Sequence, residues 1–146
     1  MKKIAISACL LGENVRYNNT NKYNKELIEL VSKHNIVSIC PEVLGGLSIP
    51  HNPCEIKENK VIDNNNNDVT SFFNIGANKA LELVKDCDYV ILKEKSPSCG
   101  LHYIYDGTFT NNLIKGNGIF TRLCIKNKIK VFNEEDLELI RNELTK

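Results

Sequence analysis

The sequence predicts an α/β fold, a single three-layer domain over residues 1–146 in which a mostly parallel sheet is flanked by helices. Apolar runs of strand length alternate along the chain with segments of helical periodicity. The strand-like runs are continuously apolar, which is typical of parallel strands buried on both faces. A chain of 146 residues has the length of one domain and can bury a sizeable core.

The first half of the chain is predicted to supply two strands, a helix and a hairpin. Residues 3–8 form a short apolar run that predicts a buried strand, and residues 25–33 carry the spacing of an amphipathic helix. Residues 36–39 predict a second strand, which Pro41 ends. Residues 54–62 predict a small hairpin.

The second half begins with the most regular helical pattern in the chain. Apolar residues recur at helical spacing through residues 69–84, and Asp68 is a suitable N-cap. Residues 89–93 predict a buried strand. Parallel strands joined by such helices bind ligands beyond their carboxyl ends, so that edge of the sheet is where we expect the functional site.

The C-terminal third is predicted to add a helix, a last strand and a closing helix. Residues 119–126 follow a glycine pair at Gly116 and Gly118, a pattern that weakly indicates an anion site at the helix N-terminus. Residues 129–132 predict the last strand. Asn133 is the expected cap of the closing helix, whose apolar face carries Leu137, Ile140 and Leu144.

Charge and hydropathy exclude several classes of protein. Nineteen basic and eighteen acidic residues leave a formal charge of +1, so we expect no nucleic-acid partner. No run of 18 apolar residues is present, and the apolar N-terminal stretch ends at Leu11 without a cleavage signal. We therefore expect a cytoplasmic protein that does not enter a membrane. The oligomeric state is not indicated.

Six cysteines are more than such a chain needs for packing. A secreted disulfide framework fits poorly, because the chain is long enough for a core and has no signal peptide. No Cys-x-x-Cys pair is present, which weakens structural zinc and thioredoxin-like interpretations. Reduced thiols with a metal-binding or catalytic role are the better prediction.

Three of the cysteines follow predicted strands. Cys9, Cys40 and Cys99 come at or after the ends of strands, and parallel strand ends meet at one edge of a sheet. Three converging thiolates suit zinc or an iron–sulfur cluster and leave one metal position open for a substrate. The other three, Cys54, Cys87 and Cys124, are more typical of packed thiols.

Other polar side chains accompany these cysteines. Glu42 and Ser98 stand beside Cys40 and Cys99 and could relay a proton, or could simply cap a helix and hold a turn. His51 and His102 lie in loops marked by proline or glycine, and their roles, like that of Cys54, are not indicated; a non-ligand role is the more common one for each histidine.

Several blocks together resemble the DUF523 family. They span nearly the whole chain in order and include SACLLG with VRY, CPEV with GGL, DVT with GA, SPSCG, and IYDG with Phe109. Characterised members of that family are thiouracil desulfidases. The chain departs from the usual family pattern at Asn18, at Asn111, and at His51, where the family often has arginine.

The resemblance implies a [4Fe-4S] cluster on Cys9, Cys40 and Cys99, with Glu42 as the catalytic acid and Ser98 as the active-site serine. The implied reaction replaces C=S by C=O in a thiolated nucleobase such as 2-thiouracil, releasing hydrosulfide without net redox change. The expected partners are this small-molecule base and the iron–sulfur assembly machinery.

Three other interpretations remain open at this point. The same three thiolates could hold one zinc ion in a hydrolase. The chain could instead be a non-catalytic carrier of sulfur or of an iron–sulfur cluster, which needs the cysteines but not Glu42. A plain structural protein would need neither.

Overall fold

The computed structural model describes residues 1–146 and contains eight strands, five α-helices and a 3₁₀ turn at Ala8–Leu11. The strands are β1 (Lys3–Ser7), β2 (Asn35–Ile39), β3 (Cys54–Lys57), β4 (Lys60–Asp63), β5 (Tyr89–Leu92), β6 (Tyr103–Tyr105), β7 (Leu113–Lys115) and β8 (Val131–Asn133). The helices are α1 (Lys25–Val31), α2 (Pro41–Leu44), α3 (Thr70–Val84), α4 (Ile119–Lys126) and α5 (Leu137–Leu144).

Four strands form one central sheet in the order β2-β1-β5-β8, and every pair in it is parallel. Successive residues of β1 point to opposite faces, so Ile4 and Ile6 pack on one side and Ala5 on the other. All three are fully buried. The predicted α/β class with a mostly parallel sheet is confirmed. Strands β1 and β5 are buried along nearly their whole length, whereas the edge strand β2 is mostly exposed and does not fit the expectation of strands buried on both faces.

Helices cover both faces of this sheet. On one face α3 and α4 pack their apolar stripes, including Ala77, Ala80 and Phe120, against Ala5 and Val90. On the other face α1 and α5 pack against Ile4, Ile6 and Ile91 of the sheet through residues that include Leu27, Val31 and Ile140. The three layers leave the carboxyl edge of the sheet to be covered by loops. No helix has both the length and the apolar character needed to cross a membrane.

Two antiparallel hairpins stand outside the central sheet. The predicted hairpin is present as β3 paired with β4. The second, β6 paired with β7, is absent from the sequence prediction. Each of its strands has three residues, and all of β7 is exposed, so there is no apolar alternation for a pattern to detect.

The two proposed caps are not the residues at which the helices begin. Val69 occupies the N-cap of α3, although the Asp68 carboxylate accepts the Thr70 backbone N–H at 2.9 Å. Asp136 is the N-cap of α5, and Asn133 is the last residue of β8. The Asn133 side chain instead accepts the Glu135 N–H at 2.8 Å, so both polar side chains form local turns just before their helices.

Helix α2 is held against α3 by direct contact between their backbones. A Cβ atom on Gly76 would lie 1.8 Å from the carbonyl oxygen of Pro41, and one on Gly45 would lie 2.0 Å from that of Phe72. Only hydrogen side chains permit this approach. The position of α2, which carries Glu42, is therefore fixed by two glycines.

Gly76→Ala should lower the free energy of unfolding by about 1–3 kcal/mol, because the methyl group must displace α2. Helix propensity alone predicts the opposite sign, a gain of up to about 1 kcal/mol. Urea unfolding measures the difference. Asn74→Ala, on the exposed side of α3, is the control and should stay within about 0.5 kcal/mol of wild type. An unchanged or more stable Gly76→Ala protein would contradict the close packing.

Candidate active site

A cavity of about 630 Å³ opens at the carboxyl edge of the central sheet. Its lining includes Cys9, Cys40, Cys99, Glu42 and Ser98. The structure thus brings together all five residues that the sequence singled out. The volume lies within the usual range for small-molecule pockets.

The sheet order explains how the three cysteines meet. Cys9 lies in the 3₁₀ turn directly after β1, and Cys40 follows β2 as the N-cap residue of α2. Cys99 lies in the loop after β5. Strands β2, β1 and β5 are neighbours in that order, so their three following segments are neighbours too.

The remaining cysteines divide into two kinds. Cys54, at the start of β3, also lines the cavity, and its thiol donates to the Asn52 carbonyl at 3.3 Å. Cys124, on α4, is fully buried in the core, and Cys87 packs at the edge of the same core. Neither of the latter two lines the cavity, which agrees with their interpretation as packed thiols.

Burial sets the protonation of the three candidate ligands. It raises the pKa of Cys9 and of Cys40 to about 11, and it raises the pKa of Cys99 as well. All three are therefore neutral thiols at pH 7 in the free chain. A soft metal centre that binds them must displace their protons.

Each thiol also has its own neighbours that favour the thiolate. An ammonium group acts on Cys9, backbone N–H groups at the start of α2 act on Cys40, and hydroxyl groups act on Cys99. These neighbours are Lys93 for Cys9, Glu42 and Val43 for Cys40, and Ser98 and Ser7 for Cys99.

Glu42 and Ser98 form a hydrogen-bonded pair inside the cavity. The Ser98 hydroxyl donates to Oε2 of Glu42 at 2.9 Å, and its oxygen lies 3.5 Å from the Cys99 sulfur. Ser98 is 3% exposed, so its hydroxyl is directed by the protein rather than by bulk water. Ser96 fixes the turn, because its hydroxyl oxygen accepts the Ser98 and Cys99 backbone N–H groups at 3.1 Å.

The other oxygen of Glu42 faces His51, at 3.4 Å from Nε2. The sequence assigned His51 no role, because it lies in an irregular stretch between Pro50 and Pro53. No periodic pattern there indicates which way a side chain points. The one available signal was its position in a loop near the expected site. His102 lies in the loop before β6, is exposed, and does not line this cavity.

Comparison with known proteins decides the family. The 2-thiouracil desulfurase family model matches residues 4–136. This chain belongs to the 2-thiouracil desulfurase family. It is 36% identical to the uncharacterised protein YbbK of Bacillus subtilis (strain 168), over 92% of this chain and 97% of that one. It is also similar to the solved structure of the [4Fe-4S]-dependent thiouracil desulfidase TudS (DUF523Vcz), with a TM-score of 0.93, 38% identity and 99% of each chain covered.

In this family member, a buried carboxylate holds the loop that carries Ser98 and Cys99. Glu94 is 3% exposed and accepts five N–H groups. Its donors are the backbone N–H groups of Lys95, Leu101, His102 and Tyr103 and the side-chain amide of Asn133, at 2.7–3.4 Å. These donors stand at both ends of the loop, so one carboxylate closes it. Sequence reasoning missed Glu94, although a glutamate directly after a buried strand was a usable signal.

The N-terminus of α4 holds the same loop from the other side. Its first N–H groups donate to loop carbonyls, from Ile119 to Pro97 at 2.9 Å and from Phe120 to Ser98 at 2.8 Å. Gly118 donates to Gly100 at 2.8 Å, and a Cβ atom on Gly118 would lie 2.4 Å from the carbonyl carbon of Ser98. These groups are not free to bind an anion, so the expectation of an anion site here is wrong.

Glu94→Gln should lower the free energy of unfolding by about 2–3 kcal/mol at pH 7, because an amide NH₂ would face N–H donors. Burial opposes the charged carboxylate, but the N–H donors outweigh it and hold the pKa of Glu94 below its ordinary 4.5. The stabilisation that the Glu94 carboxylate gives to the folded protein is therefore complete above pH 4.5. It is lost as the pH falls through the lower pKa that Glu94 has in the folded protein.

The free energy of unfolding of both proteins, measured by urea unfolding across pH 3–7, checks this. The difference between wild type and Glu94→Gln should shrink below pH 4.5. Glu135→Gln, an exposed carboxylate in the loop before α5, is the control and should match wild type throughout. A pH-independent difference would show that the carboxylate charge is not what holds the loop.

Proposed function

We propose that this chain is a desulfidase that removes sulfur from a thiolated nucleobase of the 2-thiouracil type, using a [4Fe-4S] cluster held by Cys9, Cys40 and Cys99. One observation carries the proposal: three thiols from three neighbouring strand ends line the cavity that also contains the Glu42–Ser98 pair. The family assignment and the likeness to TudS support it.

The residues present fit the cluster. The three thiols line one cavity, yet no three His, Cys, Asp or Glu side chains are gathered closely enough to hold one metal ion. Thiolates are the usual ligands of iron–sulfur clusters, in which each would bind a different iron. Cys9 and Cys99 are 8% and 4% exposed, so the sulfur ligands would be shielded from solvent.

The cluster, when bound, would supply one iron without a protein ligand, a soft Lewis acid suited to a thiocarbonyl sulfur. The chain's own residues transfer the protons. Ser98 presents its hydroxyl oxygen to an incoming water, and Oε2 of Glu42, 2.9 Å away, accepts the proton that the water loses. Glu42 then returns that proton as the sulfur leaves.

The overall change balances without an oxidant or reductant. A thiocarbonyl and water give a carbonyl and hydrogen sulfide, which leaves as hydrosulfide and a proton. The water oxygen forms the new bond to carbon, and the carbon–sulfur bond breaks. Nothing in this reaction requires an electron donor, so the three thiolates serve as ligands and not as redox groups.

The structure disfavours the other interpretations. One zinc ion needs a compact set of ligands, and no three His, Cys, Asp or Glu side chains form such a set in this structure. A carrier of sulfur or of a cluster has no use for a carboxylate and serine bonded to each other inside the cavity. The Glu42–Ser98 pair therefore favours catalysis over storage.

Anaerobic reconstitution with iron and sulfide should load about four irons and four sulfides per chain. Cys9→Ser, Cys40→Ser and Cys99→Ser should each lose most of the broad visible absorption. Cys87→Ser, which removes a half-buried thiol away from the cavity, is the matched control and should load like wild type. Equal loading by all four variants would refute the ligand assignment, and one zinc without sulfide would favour the hydrolase.

Glu42→Gln and Ser98→Ala should each lower the rate of conversion of 2-thiouracil to uracil by about 10²–10⁴-fold, because each removes a step of the proton path. Cluster content should be unchanged. Glu82→Gln, an exposed carboxylate on α3, should retain wild-type turnover. Full activity in Glu42→Gln would remove its catalytic role, while an inactive wild type with an intact cluster would refute the substrate alone.

A further inference from the structure

His51 completes the cavity on the side of Glu42 that faces away from Ser98. Its Nε2 lies 3.4 Å from Oε1 of Glu42, whereas Ser98 bonds Oε2 at 2.9 Å. The side chains of His51 and Glu42 are only 10% and 17% exposed. Each carboxylate oxygen therefore has a different protein partner.

Both ring nitrogens of His51 face groups that accept hydrogen bonds. Nδ1 lies 2.7 Å from the Asn52 carbonyl oxygen, which can only accept, so Nδ1 carries a hydrogen. Nε2 faces a carboxylate and needs a hydrogen of its own to bond it. A ring protonated at both nitrogens is an imidazolium. Hydrogen bonding with Cys54 and with Glu42 raises the pKa of His51 to about 10, which agrees with this geometry.

The backbone and a neighbouring ring fix the place of this imidazolium. The His51 N–H donates to the Tyr17 carbonyl at 2.8 Å. The Tyr17 ring lies 6.3 Å from the His51 ring and is tilted by 55°. Arg16 lies 5.6 Å from the centre of the Tyr17 ring. Glu42 is the charged group that Nε2 of the imidazolium faces, and the Cys54 thiol lies beside the ring.

We propose that His51 is a positioning residue, whose imidazolium holds Oε1 of Glu42 so that Oε2 is presented to Ser98. This inference rests on the proposed function, in which Oε2 is the atom that takes the proton. His51 itself does not touch the reacting atoms. Without it, the carboxylate is free to rotate about its last bond and the serine loses a fixed partner.

The pairing can be tested without turnover. The chain has three histidines, so nitrogen NMR of the full chain labelled at histidine is simple to assign. His34 is an internal reference, because its Nδ1 accepts the Lys2 N–H at 3.0 Å and carries no hydrogen in this geometry. At pH 8 we expect a histidine with both ring nitrogens protonated that is absent in His51→Ala and loses one ring proton in Glu42→Gln. If no such histidine is observed at pH 8, the proposal is overturned.

Kinetics of the reconstituted protein then test the positioning role. His51→Ala should lower kcat by about 10–100-fold, with KM within about threefold and cluster absorption unchanged. His51→Arg keeps a cation that donates to a carboxylate and should recover kcat to within about fivefold of wild type. A role in packing alone predicts no such rescue.

The outcomes separate this inference from the proposed function. A wild-type protein that releases no sulfur refutes the proposed function, while the NMR measurement still reports on the His51–Glu42 pair. An unchanged kcat in His51→Ala overturns the positioning role. The positioning role is also overturned if His51→Arg is as slow as His51→Ala. It is overturned as well if His51→Ala raises KM or lowers cluster content instead of lowering kcat.

Discussion

The parallel pairing of β2, β1 and β5 is the constraint on which the site depends. Neighbouring strands of a sheet lie about 4.8 Å apart, so residues that follow three adjacent parallel strands must share one edge. Cys9, Cys40 and Cys99 are separated by 31 and 59 positions in sequence. Backbone hydrogen bonds in the sheet bring them together, and no direct interaction between the thiols is needed.

The segments that follow the strands at this edge are held in place by contacts of their backbones. Helix α2 is fixed by the close approach of Gly76 to Pro41, and this orients Glu42. The loop after β5 is closed by Glu94 on one side and by the N-terminus of α4 on the other. Ser98 and Glu42 therefore meet at 2.9 Å although they come from two different strand ends. If this pair reacts as proposed, it is already held in place before substrate arrives and loses little entropy on binding.

The sequence predicted the elements whose signal is local and periodic. Continuous apolar runs indicated the parallel strands, helical spacing indicated α3, and strand ends indicated the three cysteines. What it missed depends on contacts between distant segments. The approach of Gly76 to Pro41, the five donors of Glu94 and the pairing of His51 with Glu42 have no local pattern. The hairpin β6–β7 was missed because its strands are short and exposed.

The net charge of the chain gives no indication of the charge inside this cavity. The chain carries only +1, yet the cavity gathers Arg16, Lys22, Lys93, Lys95 and His51. Two of the carboxylates that line it, Glu55 and Glu94, are occupied by backbone N–H groups of neighbouring loops.

These cations line the same cavity as the three thiols, which would become charged if they bind the proposed cluster. Burial keeps Cys9, Cys40 and Cys99 neutral in the free chain, and ligation of the proposed cluster would convert them to thiolates. Lys93 lowers the pKa of Cys9 and is itself held by Glu134 at 3.2 Å. In the proposed function, the positive charge of the cavity would offset the negative charge of the three ligated sulfurs. A chain with balanced composition can therefore still supply a local cationic surrounding for such a site.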